Sequence, residues 1–324
     1  MDISERMNIS ELRGVADNIR GQVAKVVIGQ AETVELMLVA LFCGGHVLLE
    51  GPPGTAKTLL AQTFAASLGL QFGRIQFTPD LLPGDIVGTN QFNFQTSSFV
   101  TNRGPIFCEM LLADEINRTP PKTQAALLEA MQERRVTLDG KSHTLSDRFM
   151  VIATENPIEQ QGTYPLPEAQ LDRFLFKHTL AYPDQAEELK LVQQQGTSVR
   201  MPDPVALGVT PVLDRAQLTE GVAAVASARL SEPVANYIVN IVRATRNSPD
   251  LSYGASPRSG AMLAAAARAH AALDGRDYVI PDDVKALTLP AFRHRVVLSP
   301  AAEIDGRKAD DIIKQIVEAI EAPR

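Results

Sequence analysis

The sequence predicts an α/β fold, in which a parallel sheet covered by helices is followed by a smaller helical domain. Short apolar runs predict buried strands at 46–50, 74–77, 110–113, 149–153 and 174–178, and helix-forming segments at 59–68 and 121–133 lie between some of them. Strands that alternate with helices favour a parallel sheet, which binds ligands at the carboxyl ends of its strands. Beyond residue 211 every predicted segment is helical, and several begin with a proline.

The chain divides into three parts on these patterns: an α/β domain at 1–182, a Pro-containing linker region at 183–211 that opens with a polar helix at 184–195, and an all-helical domain at 212–324. The helices of the last part are predicted at 218–230, 233–246, 257–273, 281–289 and 309–319. At the start of the chain, the spacing of Ile9, Leu12, Val15 and Ile19 predicts a helix within 3–26, and a second helix follows at 33–42.

Two hairpins interrupt the alternation of strands and helices. The segment 88–100 alternates polar residues with Phe92, Phe94 and Phe99 around a polar turn at 95–98, and the segment 135–145 turns at Asp139-Gly140. Both could be solvated surface hairpins, or they could project from the sheet to touch a substrate or partner. The patterns alone favour neither interpretation.

Composition and charge exclude several classes of protein. The chain has 324 residues, 45% of them hydrophobic, and a formal net charge of −7, which argues against general affinity for nucleic acids. No apolar run approaches the roughly 18 residues of a membrane span, and the polar N-terminus is unlike a signal peptide, so we expect a cytoplasmic protein. Cys43 and Cys108 are expected to be buried, inert thiols, and the five histidines show no metal-binding spacing.

A phosphate-binding loop is predicted at 51–58, where an apolar strand, a glycine-containing loop and a helix follow each other. Backbone amides and a helix N-terminus converge on an anion in this arrangement. Gly51 and Gly54 allow close approach to phosphate oxygens, Lys57 can reach the β- and γ-phosphates, and the Thr58 hydroxyl can ligate Mg²⁺. The complete predicted nucleotide-binding set is Gly51, Pro52, Pro53, Gly54, Thr55, Ala56, Lys57, Thr58 and Leu59, with Ile28 and Gly29.

Two members of this set are open to question. Ala56 stands where the pattern G-x-x-x-x-G-K-[ST] has glycine, and the loop tolerates alanine if that position is helical. Ile28 and Gly29 belong to the loop 26–30, whose aliphatic side chains could pack on a flat base. They could equally be part of the core.

An acidic pair follows the apolar run 110–113. In a nucleotide hydrolase, Asp114 would hold Mg²⁺, directly or through water, and Glu115 would polarise the water that attacks the γ-phosphate. An apolar run that ends in two acids is common and is weak evidence alone. Because a neighbouring strand would bring both carboxylates to the edge that holds the phosphate loop, the two motifs together are strong evidence.

Three further polar residues complete the predicted site. Asn156 follows the next strand and could orient the same water, although it could also simply cap the turn before Pro157. Arg173 precedes the last strand, and Arg258 opens a helix of the C-terminal domain. A planar guanidinium suits the negative charge that develops on a phosphoryl group, but neither arginine is unusual by itself.

The ordered motifs GPPGTAKT, LLADEIN, ATENP, LDRF and SPRS, with hairpins at both insert positions, resemble the MoxR family of AAA+ ATPases over nearly the whole chain. Alanine at position 56 is usual in that family. The resemblance implies an AAA+ αβα core with a small helical lid, ATP and Mg²⁺ at subunit interfaces, and a homo-oligomeric ring, commonly a hexamer. The segments 88–100 and 135–145 resemble the helix-2 insert and the pre-sensor hairpin of this clade.

The resemblance also implies a role for each site residue. Lys57 and Thr58 would be Walker A residues, Asp114 and Glu115 Walker B residues, Asn156 sensor 1, Arg173 an arginine finger that reaches a neighbour's nucleotide, and Arg258 sensor 2. Members of the family are thought to remodel or mature client proteins, including metal-cofactor insertion, often beside a partner with a von Willebrand A domain.

Three other functions remain open at this point. A nucleic-acid motor would need basic hairpins, yet 88–100 contains no Lys or Arg and 135–145 offers only Arg135 and Lys141. A magnesium-chelatase-type motor subunit shares the Asp-Arg-Phe and hairpin features and would be distinguished by a porphyrin-metallating partner. A non-catalytic, nucleotide-dependent scaffold is disfavoured by Glu115 and Arg173.

Overall fold

The computed structural model describes residues 7–95, 97–157, 162–195 and 202–323. Up to residue 195 the elements are, in chain order, α1 (Ile9–Ala24), α2 (Ala31–Cys43), β1 (Val47–Glu50), α3 (Lys57–Ser67), β2 (Phe72–Gln76), α4 (Pro83–Val87), β3 (Gly88–Asn93), β4 (Ser98–Arg103), β5 (Met110–Asp114), a 3-10 turn (Ile116–Arg118), α5 (Pro121–Glu133), β6 (Arg135–Leu138), β7 (Lys141–Thr144), β8 (Met150–Glu155), α6 (Glu168–Leu171), β9 (Phe176–Thr179) and α7 (Gln185–Gln195).

The remaining elements form the part that we call the lid. They are α8 (Arg215–Ser227), α9 (Glu232–Asn247), β10 (Leu251–Tyr253), α10 (Pro257–Leu273), α11 (Pro281–Phe292), β11 (Val297–Leu298), α12 (Pro300–Ile304) and α13 (Ala309–Ala319). The lid is helical, as predicted, with one addition that the sequence did not indicate: β10 and β11 pair as a small antiparallel sheet. Runs of two and three residues are too short to show a strand period.

A five-stranded parallel sheet in the order β2-β5-β8-β1-β9 forms the centre of the first part. The predicted strands are all present, with bounds shifted by one or two residues. Successive residues of β1, β5 and β8 enter the hydrophobic clusters on opposite faces of the sheet: Leu48 lies in one cluster and Leu49 in the other. Helices cover both faces, which explains why these strands are apolar at nearly every position.

The helix α1 confirms the predicted N-terminal helix but buries a different stripe of residues. Its buried positions are Leu12, Ala16, Ile19 and Val23, whereas Ile9 and Val15 are only partly buried. The buried residues recur every three to four positions, which is the helical period, whereas Ile9 and Val15 lie to the side of that face. Positions 3–6 of the prediction lie outside the described residues.

The helices α1 and α2 both pack against the lid, while α1 also packs against α3 and α2 against β1 and β9. Leu12 and Phe42 meet α8, where a Cβ added at Gly221 would lie only 2.6 Å from the Phe42 ring. One hydrophobic cluster runs from α1 and α2 through α8 to α10, which contributes a row of buried alanines. The small residues at these contacts allow the helices to approach closely.

Both predicted hairpins are present, and they differ in burial. The pair β6–β7 turns through Asp139 and Gly140, both at positive φ, as a two-residue type I′ turn requires. Its Val136 and Leu138 are buried in the core. The pair β3–β4 instead projects its aromatic side chains: Phe94 is 87% exposed and Phe99 73%.

The described residues of the linker region contact the first part of the chain. The helix α7 confirms the predicted polar helix, and residues 196–201 lie outside the described part. The Thr210 amide donates to the Gln22 side chain at 3.0 Å, and the Lys25 ammonium donates to the Gly208 carbonyl at 2.7 Å. Cys108 is buried and Cys43 partly buried, and burial raises the pKa of each thiol to about 12, so neither is a thiolate near neutral pH. Over the described ranges, every helix is too short or too polar to cross a bilayer.

Candidate active site

The phosphate loop lies between the carboxyl end of β1 and the start of α3, which begins at Lys57. Gly54 has a φ of 84°, a conformation that glycine adopts without strain. The Thr55 hydroxyl donates to the Pro52 carbonyl at 2.9 Å and closes the loop on itself. Among the described residues no side chain caps the first turn of α3, so its amides are available to an anion.

Ala56 is left-handed, with φ 58° and ψ 23°. The sequence analysis made the tolerance of alanine conditional on a helical conformation at position 56. That expectation is wrong, because the right-handed helix begins only at Lys57. A left-handed alanine costs about 1–2 kcal/mol, which explains why the general pattern places glycine here. The surrounding structure holds the strained conformation, as is common at functional sites.

Gly51 is constrained by its neighbours rather than by its dihedrals. A Cβ at this position would lie 3.0 Å from the Leu180 Cβ and 3.1 Å from the Leu180 carbonyl oxygen. The Gly51 amide also donates to the Glu155 carbonyl at 3.2 Å, and the Leu180 amide donates to the Glu50 carbonyl at 2.7 Å. The loop is thus anchored to both strands that flank β1.

Lys57 folds back over the loop that precedes it. Its ammonium donates to the Gly51 carbonyl and, at 3.2 Å, to the Pro52 carbonyl. Burial lowers the pKa of Lys57, while the nearby carboxylates of Asp114, Glu115 and Glu50 counteract that shift. The site therefore places a cation and several acids within electrostatic range of one another.

Asp114 joins the phosphate loop to the next strands of the sheet. Its Oδ2 accepts from the Thr58 hydroxyl at 3.3 Å and from the Arg74 guanidinium at 2.8 Å, and its Oδ1 accepts from the Thr154 hydroxyl at 2.7 Å. Asp114 is buried, whereas the Arg74 side chain is 45% exposed. The predicted meeting of Thr58 and Asp114 at one edge of the sheet is present in the structure.

Glu115 is held in a left-handed conformation, with a φ of 57°. Its amide donates to the Thr154 hydroxyl at 2.8 Å, and its carboxylate accepts from Gln76 and from Arg118, each at 2.9 Å. A non-glycine residue at positive φ needs such fixing contacts. The side chain is thereby directed to the same sheet edge as Asp114.

Asn156 follows β8 and is buried, one residue beyond Glu155. Burial raises the pKa of Glu155, and the ammonium of Lys177 partly offsets this effect. Lys177 bonds Glu50 and lies 3.7 Å from Glu155, so it links β1, β8 and β9 at their carboxyl ends. Asn156 therefore stands on a rigid, ion-paired edge next to the phosphate loop.

Ile28 and Gly29 line a cavity of about 760 Å³ between the loop after α1 and the helix α7. Val23, Val27 and Val34 provide apolar walls, and Glu187 and Lys190 provide polar ones. A Cβ added at Gly29 would lie only 2.6 Å from the Glu187 carboxylate, so α7 closes one side of this cavity. Its apolar walls suit a planar base.

Over the described residues, Arg173 and Arg258 do not bond the phosphate loop or the acidic pair of their own chain. The Arg173 guanidinium bonds the Leu128 carbonyl at 2.9 Å and the Gln132 side chain, both on α5. Arg258 lies at the start of α10, 4.0 Å from Asp172. Within the described part of the chain, neither guanidinium bonds the phosphate loop, Asp114 or Glu115.

The sequence analysis missed four polar residues that bond the acidic pair. Thr154 connects Asp114 to the Glu115 amide, Arg74 pairs with Asp114, and Gln76 and Arg118 bond the Glu115 carboxylate. Arg74 and Gln76 alternate on β2, the neighbour of β5, and a polar period-two pattern on a strand beside an acidic one could have indicated them. Thr154 precedes Glu155-Asn156 and carries no recognisable signal of its own.

A second cavity, of about 330 Å³, lies at the amino end of β8, away from the phosphate loop. It is lined by Phe149, which precedes β8, and by Arg134, Arg148 and Arg268. Since Asn156 follows β8 and Phe149 precedes it, the strand separates this cavity from the acidic pair. It takes no part in the site described above.

Comparison with known proteins identifies the family. The family described as "ATPase family associated with various cellular activities (AAA)" matches residues 46–176, and the AAA lid domain family matches 243–316. The chain is 43% identical over 312 residues to Chaperone MoxR1 of Mycobacterium tuberculosis, covering 94% of this chain and 81% of that protein. It is 46% identical over 299 residues to the uncharacterised protein YeaC of Bacillus subtilis, covering 92% of each.

The fold comparison agrees with the sequence comparison. A solved structure from Cytophaga hutchinsonii, assigned as an ATPase, superimposes with a TM-score of 0.88 at 38% identity, covering 97% of this chain and 96% of that one. The chain therefore belongs to the MoxR family of AAA+ ATPases and is an ATP-hydrolysing enzyme of that family.

Proposed function

We propose that this chain hydrolyses ATP at a site built around Lys57, Thr58, Asp114 and Glu115, and uses the energy to remodel or mature client proteins. The observation that carries the proposal is the 3.3 Å contact between the Thr58 hydroxyl and Asp114. It brings the end of the phosphate loop together with the tip of β5, as a triphosphate site requires.

The donor set at this contact fits Mg²⁺. A threonine hydroxyl and a carboxylate are oxygen ligands, which this hard cation prefers, usually with several waters and phosphate oxygens completing its shell. Thr58 and Asp114 would hold the ion. When bound, it would offset the negative charge of the β- and γ-phosphates.

The loop and its cation would hold the triphosphate. The uncapped first turn of α3 offers amides to the phosphates, and Lys57 can exchange its bonds with the Gly51 and Pro52 carbonyls for phosphate oxygens. The cavity at Ile28 and Gly29 would hold the base. Together, Gly51 to Leu59 form the proposed binding surface.

Two residues would act on the attacking water. Glu115 would accept its proton or polarise it, and its left-handed backbone and its bond to Thr154 direct the carboxylate to the required edge. Asn156, buried at the neighbouring strand end, would help to orient the same water.

The site would be completed by a neighbouring subunit in a homo-oligomeric ring, which we propose to be a hexamer. Support comes from the placement of Arg173, whose bonds go to α5 and not to the phosphate loop of its own chain. A guanidinium from the adjoining subunit would meet the charge that develops on the γ-phosphate. Arg258 would act as sensor 2, in its own subunit or in a neighbour's site.

The client and partner roles rest on the resemblance to the family and on the exposed hairpin. The rings of Phe94 and Phe99 flank Phe92, each with its centroid 5.2 Å from the Phe92 centroid, and form an exposed apolar tip. Such a tip fits contact with an unfolded or flexible client. A von Willebrand A domain partner, metal-cofactor insertion and a cytoplasmic location remain parts of this proposal.

The domain organisation is also part of the proposal: a nucleotide-binding core at 1–182, a linker at 183–211 and a lid domain at 212–324. The AAA match at 46–176 falls within the first part and the lid match at 243–316 within the third, which supports these boundaries. The packing of α1 and α2 on the lid means that the two domains would share one hydrophobic cluster.

The substitution Glu115→Gln tests the proposed site. It keeps the size of the side chain but removes its charge, so we expect ATP binding to remain within about threefold while turnover falls at least about 100-fold, the range of general-base loss. Glu129→Gln, on the exposed face of α5, is the matched control and should hydrolyse ATP like the wild type. Phosphate release and binding of a fluorescent ATP analogue are the two measurements.

The same variant addresses the client. With ATP bound and turnover blocked, affinity capture of Glu115→Gln should retain client proteins and any A-domain partner that Glu129→Gln releases. If Glu115→Gln hydrolyses ATP at the wild-type rate, the proposed role of the acidic pair is wrong.

A further inference from the structure

Arg295 is a buried arginine of the lid that lies between α11 and β11 and bonds to the core. Its side chain is only 2% exposed. Its Nε donates to Asp172 Oδ1 at 2.9 Å, its Nη2 to the Phe174 carbonyl at 2.7 Å, and its Nη1 to the Ala291 carbonyl of α11 at 2.7 Å. A buried guanidinium is costly unless its donors are satisfied, so these bonds fix its position.

Two of the core residues that Arg295 bonds are the neighbours of Arg173 in the chain: Asp172 precedes Arg173 and Phe174 follows it. The Arg295 side chain therefore holds the residues on both sides of Arg173, and its Nη1 also lies 3.4 Å from the Leu175 carbonyl oxygen. His294 adds a second lid contact, since its Nε2 lies 3.0 Å from the Phe174 carbonyl. The backbone that carries Arg173 is therefore fixed to the lid.

The Arg173 side chain is held from the other direction by the core. Its guanidinium reaches α5, at Leu128 and Gln132. Its Nε is buried and, among the described residues, has no hydrogen-bond partner. An unsatisfied buried donor costs about 1–3 kcal/mol, so the contact with α5 does not use the full bonding capacity of Arg173.

Space for movement lies on the lid side of this segment. A cavity of about 210 Å³ is lined by Asp172, Ser256, His294 and Arg295, among others. Asp172 also lies 4.0 Å from Arg258, a contact between partly exposed side chains that is weak compared with the buried bond to Arg295. Arg258 can leave Asp172 for another anion while Arg295 retains its hold.

We propose that Arg295 is a positioning residue that couples the lid of each subunit to Arg173. A displacement of the lid relative to the core is transmitted through Asp172 and Phe174 to Arg173. Because this inference rests on the proposed function, in which Arg173 serves the neighbouring nucleotide, the consequence is directional: the lid of one subunit sets the activity of the next site in the ring.

The substitution Arg295→Lys tests the coupling. Lysine keeps the charge but cannot bond Asp172 and Phe174 together in the forked geometry of arginine. We expect turnover to fall at least about tenfold while the affinity for ATP stays within about threefold, because the subunit's own binding loop is intact. Asp172→Asn, which removes the same ion pair from the other side, should behave alike and serves if Arg295→Lys fails to fold.

Arg293→Lys is the matched control. Arg293 lies two residues away, also joins the lid to the core through Thr179 at 3.1 Å, and pairs with Asp310. It makes no bond to the segment 172–175, so its turnover should stay within about twofold of the wild type. An equal loss in Arg293→Lys and Arg295→Lys would show that any weakened contact of the lid lowers activity, and would overturn the proposal.

Mixed oligomers separate this inference from the shared site itself. Arg295→Lys subunits have an intact phosphate loop, and Lys57→Ala subunits have an intact Arg173, so a 1:1 mixture should recover about a quarter of wild-type turnover if the interfaces act independently. The reference mixture is Arg173→Ala with Lys57→Ala. Co-assembly is verified in both mixtures by native mass measurement.

The two mixtures give distinguishable outcomes. Recovery in both supports the coupling. Recovery in the reference mixture alone overturns the role of Arg295 but leaves the shared site standing, because the defect then stays within the altered subunit. Recovery in neither mixture, despite co-assembly, overturns the shared site and this inference with it.

Discussion

Thr154→Val removes one hydroxyl that holds both acids of the site. Thr154 is fully buried, donates to Asp114 at 2.7 Å and accepts from the Glu115 amide at 2.8 Å. Valine has nearly the same shape, so the change deletes two hydrogen bonds with little change in packing. We therefore expect its effects to report on the positions of Asp114 and Glu115.

The magnitude follows from the two bonds that are lost. A hydrogen bond to a charged group contributes about 1.5–3 kcal/mol, and an amide left unpaired in the interior costs about 1–3 kcal/mol. These contributions share one hydroxyl and do not add fully, so we expect the free energy of unfolding to fall by about 2–4 kcal/mol. The loss also releases Glu115 from its left-handed backbone, whose strain is about 1–2 kcal/mol.

The catalytic consequence should exceed the consequence for binding. If the lost hydrogen bonds raise the free energy of the transition state by about 1.4–2.8 kcal/mol, because Glu115 is no longer held in place, turnover falls about 10- to 100-fold. The KM for ATP then changes little. The measurements are steady-state phosphate release and urea unfolding of the same preparations.

Thr288→Val is the control for the chemical change itself. Thr288 is also fully buried, but its hydroxyl donates only to the Val284 carbonyl within α11 of the lid. We expect a loss of about 1 kcal/mol in stability and no change in turnover. If Thr154→Val loses no more stability than Thr288→Val and hydrolyses ATP within twofold of the wild type, the geometric role of Thr154 is wrong.

Two further predictions concern acid stability and the exposed hairpin. Burial lowers the pKa of His46 to about 4 from an ordinary value of 6.5, so the unfolded chain binds more protons between these values. His46 should therefore contribute stability that is complete above pH 6.5 and falls by about 3 kcal/mol as the pH drops to 4. Burial also lowers the pKa of His178 and of His294, so the measurement is the difference in the free energy of urea unfolding between the wild type and His46→Gln, which should shrink by that amount over this range. Phe94→Ser and Phe99→Ser should each change the free energy of unfolding by less than about 0.5 kcal/mol, because both rings are exposed. The same changes should leave basal ATP hydrolysis intact and abolish client capture in the Glu115→Gln background; capture that persists would exclude the hairpin as the client contact.

The sequence predicted the elements that depend on local chemistry. The Asp139-Gly140 dipeptide predicts a two-residue turn because both positions need positive φ, and the structure has that turn. The strand that precedes Asp114 was predictable because a parallel strand covered on both faces must be apolar throughout. Given that strand and the phosphate loop, the meeting of Thr58 with Asp114 followed from the geometry of a parallel sheet.

The features that the sequence could not predict depend on the tertiary environment. Nothing in the residue type indicates that Ala56 is left-handed, since alanine avoids that conformation unless its surroundings impose it. The amphipathic pattern of α1 predicts a buried face but not its partners, and the lid helices α8 and α10 share that face with α3. Thr154 and Arg295 gain their roles only from contacts with residues far away along the chain.

Among the described residues, the distribution of cations supports the proposal that a neighbouring subunit completes the catalytic site. Lys57, Arg74 and Arg118 lie at the phosphate loop and the acidic pair, whereas Arg173 bonds α5 and Arg258 lies beside Asp172. A phosphoryl transition state spreads charge over three oxygens and requires donors that surround it. In this proposal the remaining donor is Arg173 of the next subunit, and the segment that carries Arg173 is fixed to the lid of that subunit. The assembly of the ring and the position of the lid would then both act on the Arg173 guanidinium.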